Sequence, residues 1–411
     1  MDYSRTVSTV SNLGNFPICY RRQIEEAGDS ARVLDGQLTN ESFTSGTTGP
    51  AFAYAIGQRE QSALRSYYEA SFRLQDLPVR RRAIRFLDQA ITFDRRIPTP
   101  IHFHDLSIHR KGSFTHAINR ILSKDFAENG VEANCSILSA SERVLRAFTD
   151  AARQMCPAEF SSPVTHLFTF GSLLTAEART EYEDFWSATI IDRYGLAETV
   201  GAATEDELGW YLFDPILIPE VVGVSSRTPI KEGVGILVLT TLFPFQETQP
   251  FVRYWTDDVV EVTHCRGSIP GRFAVRPLGR RPLGISLPRS DTWLLTPDVV
   301  FRALESRTDI DRAPLFVDCD QVLDHRRAGL PKRRLSTSIA GGKTVVTLHV
   351  GIRAPATECQ NVLDEIKADV LDRSESLRTA CHLGFCELRV AHADDPEDPA
   401  GHNTIIPTAV V

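Results

Sequence analysis

The sequence predicts an α/β protein with a large N-terminal domain and a small α+β C-terminal domain. Strand-like runs at 166–170 and 189–192 enclose a helical run at 176–185, and this strand–helix–strand order favours a parallel sheet covered by helices. From about 208 to 265, strand-like runs alternate with Pro and Gly, which indicates a β-rich subdomain. Beyond about 310, three strand-like runs, a helical run and a last strand-like run predict the sheet of the small domain.

The length of the chain also points to more than one folding unit, because 411 residues are too many for one simple core. We expect a core domain over 1–282, a connector over 283–309 and a small mobile domain over 310–411. The connector prediction rests on a stretch rich in Pro, Gly and Arg at 276–289. Helical periodicity predicts three helices in the N-terminal part, over residues 60–75, 79–90 and 141–154.

The charge balance bears on the partners of the protein. The formal net charge is -8, which argues against a broad nucleic-acid-binding face and against an anionic membrane surface. A basic run at 80–82 falls in the predicted helix and is interpreted as a solvated face. We therefore expect neither a nucleic acid nor a membrane as partner.

Three features of the sequence predict a cytosolic protein. The first five residues open no apolar stretch that resembles a signal peptide. The longest apolar run, at 236–245, contains two threonines and a proline and falls short of a membrane span. Eight cysteines are dispersed along the chain without a Cys-x-x-Cys pattern, which is typical of reduced and buried thiols.

A segment rich in hydroxyl groups and glycine precedes residue 50. Its two glycines allow backbone amides to approach an anion, and its four hydroxyls supply further donors to phosphate oxygens. No lysine follows, so this is not the phosphate loop that ends in Gly-Lys-Ser/Thr. A solvated turn is the alternative interpretation. The segment consists of Thr44, Ser45, Gly46, Thr47, Thr48 and Gly49.

Two further segments follow this one in a fixed order. Residues 192–199 read Asp-Arg-Tyr-Gly-Leu-Ala-Glu-Thr at the end of a predicted strand, and residues 253–258 read Arg-Tyr-Trp-Thr-Asp-Asp before another. Together with 44–49, they resemble the adenylate-forming superfamily of acyl-CoA synthetases, peptide-synthetase adenylation domains and luciferases. That superfamily carries Thr/Ser-Ser-Gly-Thr-Thr-Gly, Tyr-Gly-x-Thr/Ser-Glu and Tyr-x-Thr-Gly-Asp in this order.

Other stretches are similar to one branch of the superfamily, the phenylacetate–CoA ligase-like proteins. His-Leu-Phe-Thr-Phe-Gly at 166–171 and Thr-Ala-Glu-Ala-Arg at 175–179 resemble the strand and helix that precede the Tyr-Gly motif in that branch. The stretch at 233–242 resembles its Gly-x-Gly-x-Leu-Val-x-Thr-Thr-Leu strand, and 16–24 resembles a short element near its N-terminus. The resemblance covers most of residues 16–282.

The resemblance implies sites for the phosphates and the metal ion of MgATP. Glu198 would bind Mg²⁺, since a carboxylate is a hard oxygen ligand suited to a hard cation. Taken by itself, a glutamate such as Glu198 is more often a surface carboxylate. With Thr48 and Arg280 it makes up the predicted catalytic set. The β- and γ-phosphates would be held by Ser45, Thr47, Thr48 and the amides of Gly46 and Gly49, with Thr44 beside them.

The resemblance also implies a site for the adenosine. Tyr194 would lie against the adenine, and Gly195 would give the close turn after it. Gly171 would belong to the floor of the adenine site. Asp258 would accept hydrogen bonds from the ribose hydroxyls, although a turn residue is the alternative interpretation. Arg280 matches the arginine that follows the ribose aspartate in the superfamily.

The implied function is the activation of a carboxylic acid as its acyl-AMP, with ATP and Mg²⁺ as cofactors. The acceptor in the branch is usually coenzyme A, and a carrier protein is an alternative partner. Two other functions stay open: an amide or ester synthetase that does not use coenzyme A, and a degenerate relative that only binds nucleotide or acyl group. An aryl or compact acid is expected, with Phe168 and Phe170 near its pocket. The altered motifs suggest a specialised pathway such as antibiotic biosynthesis.

The stretch at 102–109 has three interpretations. His102, His104, Asp105 and His109 invite a metal site, but their spacing fits no standard zinc signature and no cysteine lies nearby. In the resembled fold this stretch approaches the acyl pocket, which His104 or Phe103 would line. Ordinary packing is the third interpretation.

Two departures from the superfamily bear on the chemistry. Members usually place near the C-terminus a lysine that contacts the carboxylate and the α-phosphate, whereas the last lysine here is Lys367. The motif at 256–258 keeps its aspartate, Asp258, but has Asp257 in place of glycine. Loss of a charge-stabilising contact typically costs roughly 10²–10³ in rate. Either another cation replaces the lysine, with Lys332, Arg333 and Arg334 as the candidates, or adenylation is slow, or the chain has lost this half-reaction.

Overall fold

A computed structural model of the protein describes residues 10–31, 38–43, 53–74, 82–87, 102–123, 135–157, 160–196, 198–263, 273–313, 315 and 328–393. The strands in these ranges are β1 (Leu38–Phe43), β2 (Ala53–Gly57), β3 (Arg82–Leu87), β4 (His102–Ser107), β5 (Cys135–Ser141), β6 (His166–Phe170), β7 (Thr189–Tyr194), β8 (Ala203–Glu205), β9 (Tyr211–Phe213), β10 (Leu217–Val222), β11 (Gly233–Thr241), β12 (Tyr254–Val262), β13 (Ala274–Arg280), β14 (Ile285–Ser286), β15 (Trp293–Leu295), β16 (Arg333–Ala340), β17 (Lys343–Val350) and β18 (Cys386–His392). The helices are α1 (Arg21–Ala27), α2 (Gln58–Leu74), α3 (Ser113–Ser123), α4 (Glu142–Met155), α5 (Ala176–Trp186), α6 (Pro297–Glu305), α7 (Ala356–Arg373) and α8 (Glu375–His382).

One large sheet organises the N-terminal part of the described chain. Its strand order is β10-β11-β12-β13-β9-β8-β7-β6-β5-β3-β4. The strands β4, β3, β5, β6 and β7 are parallel, and all pairs from β7 to β10 are antiparallel. The predicted α/β class is therefore confirmed, and the predicted β-rich subdomain is the antiparallel continuation of the parallel sheet.

Helices α3, α4 and α5 cover one face of the parallel strands, and their apolar side chains form the helix-side core. Phe148 of α4 stacks on Trp186 of α5 with ring centroids 5.5 Å apart. Helix α4 buries apolar residues three and four positions apart, from Val144 through Phe148 to Ala151, as an amphipathic helix does. At the N-terminus of α5, the Thr175 hydroxyl accepts a hydrogen bond from a backbone amide, which explains why that helix begins at residue 176.

The opposite face of the sheet carries the hairpin-side core. It joins Leu64 and Tyr68 of α2, Phe168 of β6, and Phe213 of β9 with apolar residues of β11 and β12. The two-stranded hairpin β1–β2 leads directly into α2. This core therefore connects the parallel and antiparallel halves of the sheet.

The segment 79–90, predicted as a helix, contains the strand β3 over 82–87, so that prediction was wrong. The strand lies between β4 and β5 in the sheet. Ala83 packs in the hairpin-side core, and Ile84 and Phe86 pack in the helix-side core. Because a central parallel strand is buried on both faces, it lacks the alternation of polar and apolar residues that identifies a strand.

The C-terminal part has its own sheet and core. Strands β16 and β17 are antiparallel, and β17 pairs in parallel with β18. The predicted strands at 334–339, 344–352 and 387–391 and the predicted helix at 359–371 correspond to β16, β17, β18 and α7. The predicted strand at 315–322 lies, except for Leu315, outside the described residues.

Residues 283–309, predicted as a connector, contain the strands β14 and β15 and the helix α6. Ile285, Leu295 and Val300 from these elements share one hydrophobic core with residues of β16, β17, α7 and α8. The elements in the predicted connector therefore pack as part of the C-terminal unit. Within the described ranges, no helix combines the length and the apolar character needed to cross a bilayer.

A buried charge cluster joins the large domain to the C-terminal part. Arg146 of α4 pairs with Glu142 at 2.6 Å and with Glu305 at the end of α6. Arg312 pairs with Glu305 at 3.2 Å, and the Tyr182 hydroxyl donates to Glu142 at 2.7 Å. Removing one member of such a cluster leaves an uncompensated charge in the protein interior.

We expect Arg146→Met to lower the free energy of unfolding by about 3–5 kcal/mol, because Glu142 and Glu305 stay buried with one cation fewer. The matched control is Arg153→Met on the same helix, where the lost partners are Glu181 and Asp150 near the surface. That change should cost about 0–1 kcal/mol. Urea unfolding of the two variants measures the difference, and equal losses would contradict a buried network.

Candidate active site

The segment 44–49, predicted to hold the phosphates, lies outside the described residues. The strands on either side of it, β1 and β2, pair antiparallel, and their last described pair is Phe43 with Ala53. The motif therefore falls between two paired strands of a hairpin. The roles of its residues stay predictions.

The predicted ribose aspartate lies in a buried polar cluster. Asp258 of β12 is 6% exposed. Its Oδ1 lies 2.9 Å from Nε of Arg280, and its Oδ2 accepts a hydrogen bond from the Tyr194 hydroxyl. Arg280 is the register partner of Asp258 on β13 and also donates to the carbonyl of Thr256 at 3.0 Å. The structure thus brings together three residues that the sequence assigned to the nucleotide.

The electrostatics of this cluster favour a neutral phenol beside a charged pair. Burial raises the pKa of Asp258, while Arg280 and the Tyr194 hydroxyl act in the opposite direction. The Asp258 charge raises the pKa of Arg280. Burial, and then Asp258, raise the pKa of Tyr194 well above its usual value. Tyr194 therefore stays a hydrogen-bond donor at neutral pH.

Glu198, the predicted magnesium ligand, is 7% exposed and has one carboxylate oxygen engaged. The Tyr254 hydroxyl donates to its Oε1 at 2.8 Å. Among the described residues, none donates a hydrogen bond to its Oε2. The Glu198 charge also contributes to raising the pKa of Asp258, so the two carboxylates lie within electrostatic reach of each other. An oriented carboxylate with one oxygen open fits the coordination of Mg²⁺.

Two glycines mark the edge of the sheet where these residues meet. Gly171 follows β6 with a φ of 84°, in the left-handed region that favours glycine. Gly195 follows β7, and a Cβ there would lie 3.4 Å from the Cβ of Ala202. Because β6 and β7 are adjacent and parallel, their carboxyl ends lie at the same edge, where open α/β sheets bind ligands.

The three predicted pocket residues do not share one face of the sheet. Phe168 is buried in the hairpin-side core, and Phe170, at the end of the same strand, is 40% exposed. His104 lies on the helix-covered face, where its ring centroid is 5.6 Å from that of His116. Phe103, one residue earlier, packs against the hairpin-side core. Strand alternation therefore places Phe103, rather than His104, on the face of Phe168.

These elements can be compared with those of known proteins. No family model matches the sequence. A phenylacetate–coenzyme A ligase of Thermus thermophilus is 29% identical over 153 residues, which is 36% of this chain. The chain spans about a third of the length of that curated relative, since the match covers 32% of it.

Solved structures match over almost the whole chain. A 2-hydroxyisobutyryl-CoA ligase bound to 2-HIB-AMP and CoA matches with a TM-score of 0.61 and 14% identity, over 97% of this chain and 79% of the other. An o-succinylbenzoate coenzyme A synthetase from Bacillus subtilis, in complex with ATP and magnesium, matches with a TM-score of 0.55 and 12% identity, over 90% and 69%. A benzoate CoA ligase from Burkholderia xenovorans matches with a TM-score of 0.51 and 12% identity, over 90% of this chain and 69% of the other.

The fold is common to all three structures, and the curated sequence match is to an acyl-CoA ligase, as the motifs predict. The predicted resemblance to adenylate-forming ligases is therefore borne out in the fold of these structures and in the kind of protein that the sequence matches.

The motif that residues 254–258 resemble has glycine where this chain has Asp257, and the backbone at this position explains why glycine suits it. Asp257 has a φ of 61°, which glycine adopts without strain and aspartate only with some cost. Its Oδ1 accepts hydrogen bonds from Trp255 Nε1 at 2.7 Å and from Arg281 Nε at 2.6 Å. The carboxylate therefore stabilises a conformation that the superfamily usually leaves to glycine.

The stretch at 102–109 shows no metal centre in its described part. Asp105 is engaged by Arg85 through two hydrogen bonds of 2.8 and 2.7 Å. His104 also lies 3.4 Å from the guanidinium of Arg120. In the described ranges, no three His, Cys, Asp or Glu side chains gather closely enough to hold a metal ion.

Sequence reasoning missed a set of buried polar residues around Glu198. Gln246 contacts the backbone on both sides of Thr199, at Glu198 and Val200, and Glu60 contacts the loop that contains Gln246. The available signal was the polar run at 246–249, directly after the apolar run at 236–245.

The Tyr254 hydroxyl orients the Glu198 carboxylate, so we expect Tyr254→Phe to weaken magnesium-dependent ATP binding by about tenfold. The matched control is Tyr67→Phe, which also removes a phenol–carboxylate hydrogen bond, to Asp214 at 2.9 Å. Each variant should lose about 1–3 kcal/mol of stability, and only the first should lose affinity. Calorimetric titration of ATP with and without Mg²⁺ tests this, and equal affinities in both variants would contradict an orienting role.

Proposed function

We propose that the chain activates a carboxylic acid as its acyl-AMP, with ATP and Mg²⁺, and transfers the acyl group to coenzyme A. The observation that carries this proposal is the cluster of Tyr194, Asp258 and Arg280, with Glu198 in electrostatic reach, at the carboxyl edge of the sheet. The ligases with the same fold support it, since structures of them hold ATP, acyl-AMP or CoA.

The first half-reaction joins the acid to the α-phosphate. An oxygen of the carboxylate forms a bond to the α-phosphorus, the bond from that phosphorus to the oxygen bridging to the β-phosphate breaks, and pyrophosphate leaves. Asp258 would accept hydrogen bonds from the ribose hydroxyls, and Tyr194 would lie against the adenine. Glu198 would hold Mg²⁺, which neutralises charge on the phosphate oxygens. Positioning then supplies much of the rate acceleration.

The second half-reaction transfers the acyl group. The thiol sulfur of the acceptor forms a bond to the acyl carbon, the bond from that carbon to the phosphate oxygen breaks, AMP leaves, and the thiol proton passes to the solvent. An aryl or otherwise compact acid suits the aromatic pair Phe168 and Phe170, the second of which is accessible at the end of β6. We place the enzyme in the phenylacetate–CoA ligase-like branch and in a specialised pathway, on the strength of the sequence match and the altered motifs.

The lysine that superfamily members use for adenylation needs a replacement in this chain. Lys367 lies on the long helix α7. Arg333 is engaged within the C-terminal unit, where it donates to the carbonyl of Pro331 at 3.3 Å and lies 5.9 Å from the ring of Phe301. We propose Lys332, which precedes β16, as the first residue to test as the surrogate cation.

Binding of MgATP tests the nucleotide site directly. Because a ligand that binds the native state stabilises it by mass action, saturating MgATP should raise the melting temperature. The double variant Thr47→Ala and Thr48→Ala should lose most of that rise while keeping the melting temperature of the ligand-free protein. Absence of ATP binding to folded wild-type protein would refute the phosphate assignment.

Pyrophosphate exchange tests the chemistry. Glu198→Gln keeps an oxygen that accepts from Tyr254 but removes the charge, so exchange should fall at least about tenfold without loss of the fold. A panel of aryl and alkyl acids identifies the substrate class, and product analysis with coenzyme A and with amines identifies the acceptor. Wild-type exchange in Glu198→Gln would show that Mg²⁺ is held elsewhere, and a wild-type protein without exchange would favour a degenerate binding relative.

A further inference from the structure

The loop between β11 and β12 carries four consecutive polar residues that bond in two directions. We call Gln246, Glu247, Thr248 and Gln249 the brace loop. One side of it contacts β2 and the start of α2, and the other side contacts the backbone around Glu198. Gln246 and Gln249 are each 3% exposed, so these contacts are made in the protein interior.

The first side of the brace loop is anchored by Glu60, whose carboxylate is 1% exposed. Its Oε1 accepts hydrogen bonds from the backbone amides of Glu247 and of Thr248, the latter at 2.6 Å. Its Oε2 accepts from the amide of Gly57 and from the Thr248 hydroxyl, the latter at 2.9 Å. Four donors on one buried carboxylate compensate for its lost hydration.

Strand β2 makes a second contact with the brace loop. The amide of Ala55 donates to Oε1 of Gln249 at 3.0 Å. At Gly57 the loop approaches so closely that a Cβ would lie 2.6 Å from the Thr248 hydroxyl oxygen. The end of β2 therefore fits the brace loop only with glycine at this position.

The second side of the brace loop depends on the Gln246 amide group. Its Nε2 donates to the carbonyl of Glu198 at 3.0 Å and to the carbonyl of Gln249 at 3.0 Å. Its Oε1 accepts from the amide of Val200 at 3.1 Å. Gln246 thus fixes the backbone on which the Glu198 carboxylate is carried, while Tyr254 fixes the carboxylate itself.

We propose that Glu60 and Gln246 are positioning residues that set Glu198 relative to the β1–β2 hairpin through the brace loop. This proposal rests on the proposed function, in which Glu198 holds the metal ion of MgATP. A carboxylate that binds a metal ion works within narrow limits of geometry, and groups that orient such ligands typically contribute 10–100-fold to metal affinity. The brace loop joins the two elements by hydrogen bonds that are buried or partly buried.

The test changes a residue on one side of the brace loop and measures the effect on the backbone and on the proposed metal site at the other side. Gly57→Ala keeps the side chains of Glu60, Gln246 and Glu198, but its Cβ pushes the Thr248 hydroxyl, and to a lesser extent Oε2 of Glu60, away from β2. Gln246→Glu keeps the acceptor for Val200 and removes the donor to Glu198. The control is Arg59→Gln, since Arg59 is exposed and pairs with Glu247 only at 3.4 Å at the surface.

The first measurement is hydrogen exchange of the Val200 amide in ligand-free protein. Gly57→Ala should speed this exchange by about tenfold, although the substitution lies on the opposite side of the brace loop. Gln246→Glu should speed it too, and Arg59→Gln should leave it as in the wild type. Wild-type exchange at Val200 in Gly57→Ala would overturn the proposal.

The second measurement is the Mg²⁺ concentration that half-saturates pyrophosphate exchange. Both brace variants should raise it about tenfold or more, with a smaller change in the rate at saturating Mg²⁺. A lower rate with an unchanged half-saturating concentration would indicate a merely structural role and overturn the proposal. A wild-type protein without pyrophosphate exchange would refute the proposed function instead, and the amide exchange in ligand-free protein would still decide whether the brace loop couples the two elements.

Discussion

The ion pair between Asp258 and Arg280 is the contact on which the candidate site depends. It joins β12 to β13 in register, and the Tyr194 hydroxyl adds the end of β7 to it. Strands β13, β9 and β8 separate β12 from β7 in the sheet, and β8 and β9 are only three residues long. The hydrogen bond from Tyr194 to Asp258 nevertheless spans the distance from β7 to β12. At the candidate site, this hydrogen bond therefore links the parallel half of the sheet to the ion pair in the antiparallel half.

The parts of the fold that could be predicted from sequence are those with local signals. The strand, the helix and the second strand within residues 166–194 were predicted correctly, because each element has its own periodicity and α5 has a capping threonine. Strand β3 was mistaken for a helix because its burial on both faces is decided by neighbours distant in sequence. Helix α8 was not predicted, since its eight residues are too few for a helical period to be recognised in the sequence.

The residues of the candidate site also fall into two groups, those with a signal in the sequence and those without one. Tyr194, Asp258 and Arg280 were predicted because their motifs resemble a known superfamily, and the structure brings them together. Glu60 and Gln246 have no motif, and their roles arise from hydrogen bonds between residues far apart in the chain. Strand alternation places His104 on the helix-covered face of the sheet. The spacing of the histidines drew attention to a metal or pocket role and did not indicate that placement. Sequence therefore indicates the groups that would touch a ligand more readily than the groups that orient them.

The aspartate at position 257 has a consequence for how the two parts of the chain are joined. Arg281 is the first residue after β13, where the chain leaves the large sheet for the C-terminal unit, and Asp257 holds it by an ion pair. A glycine at 257 would offer Arg281 no partner. Because a partly exposed ion pair is screened by salt, the stiffness of this joint depends on ionic strength.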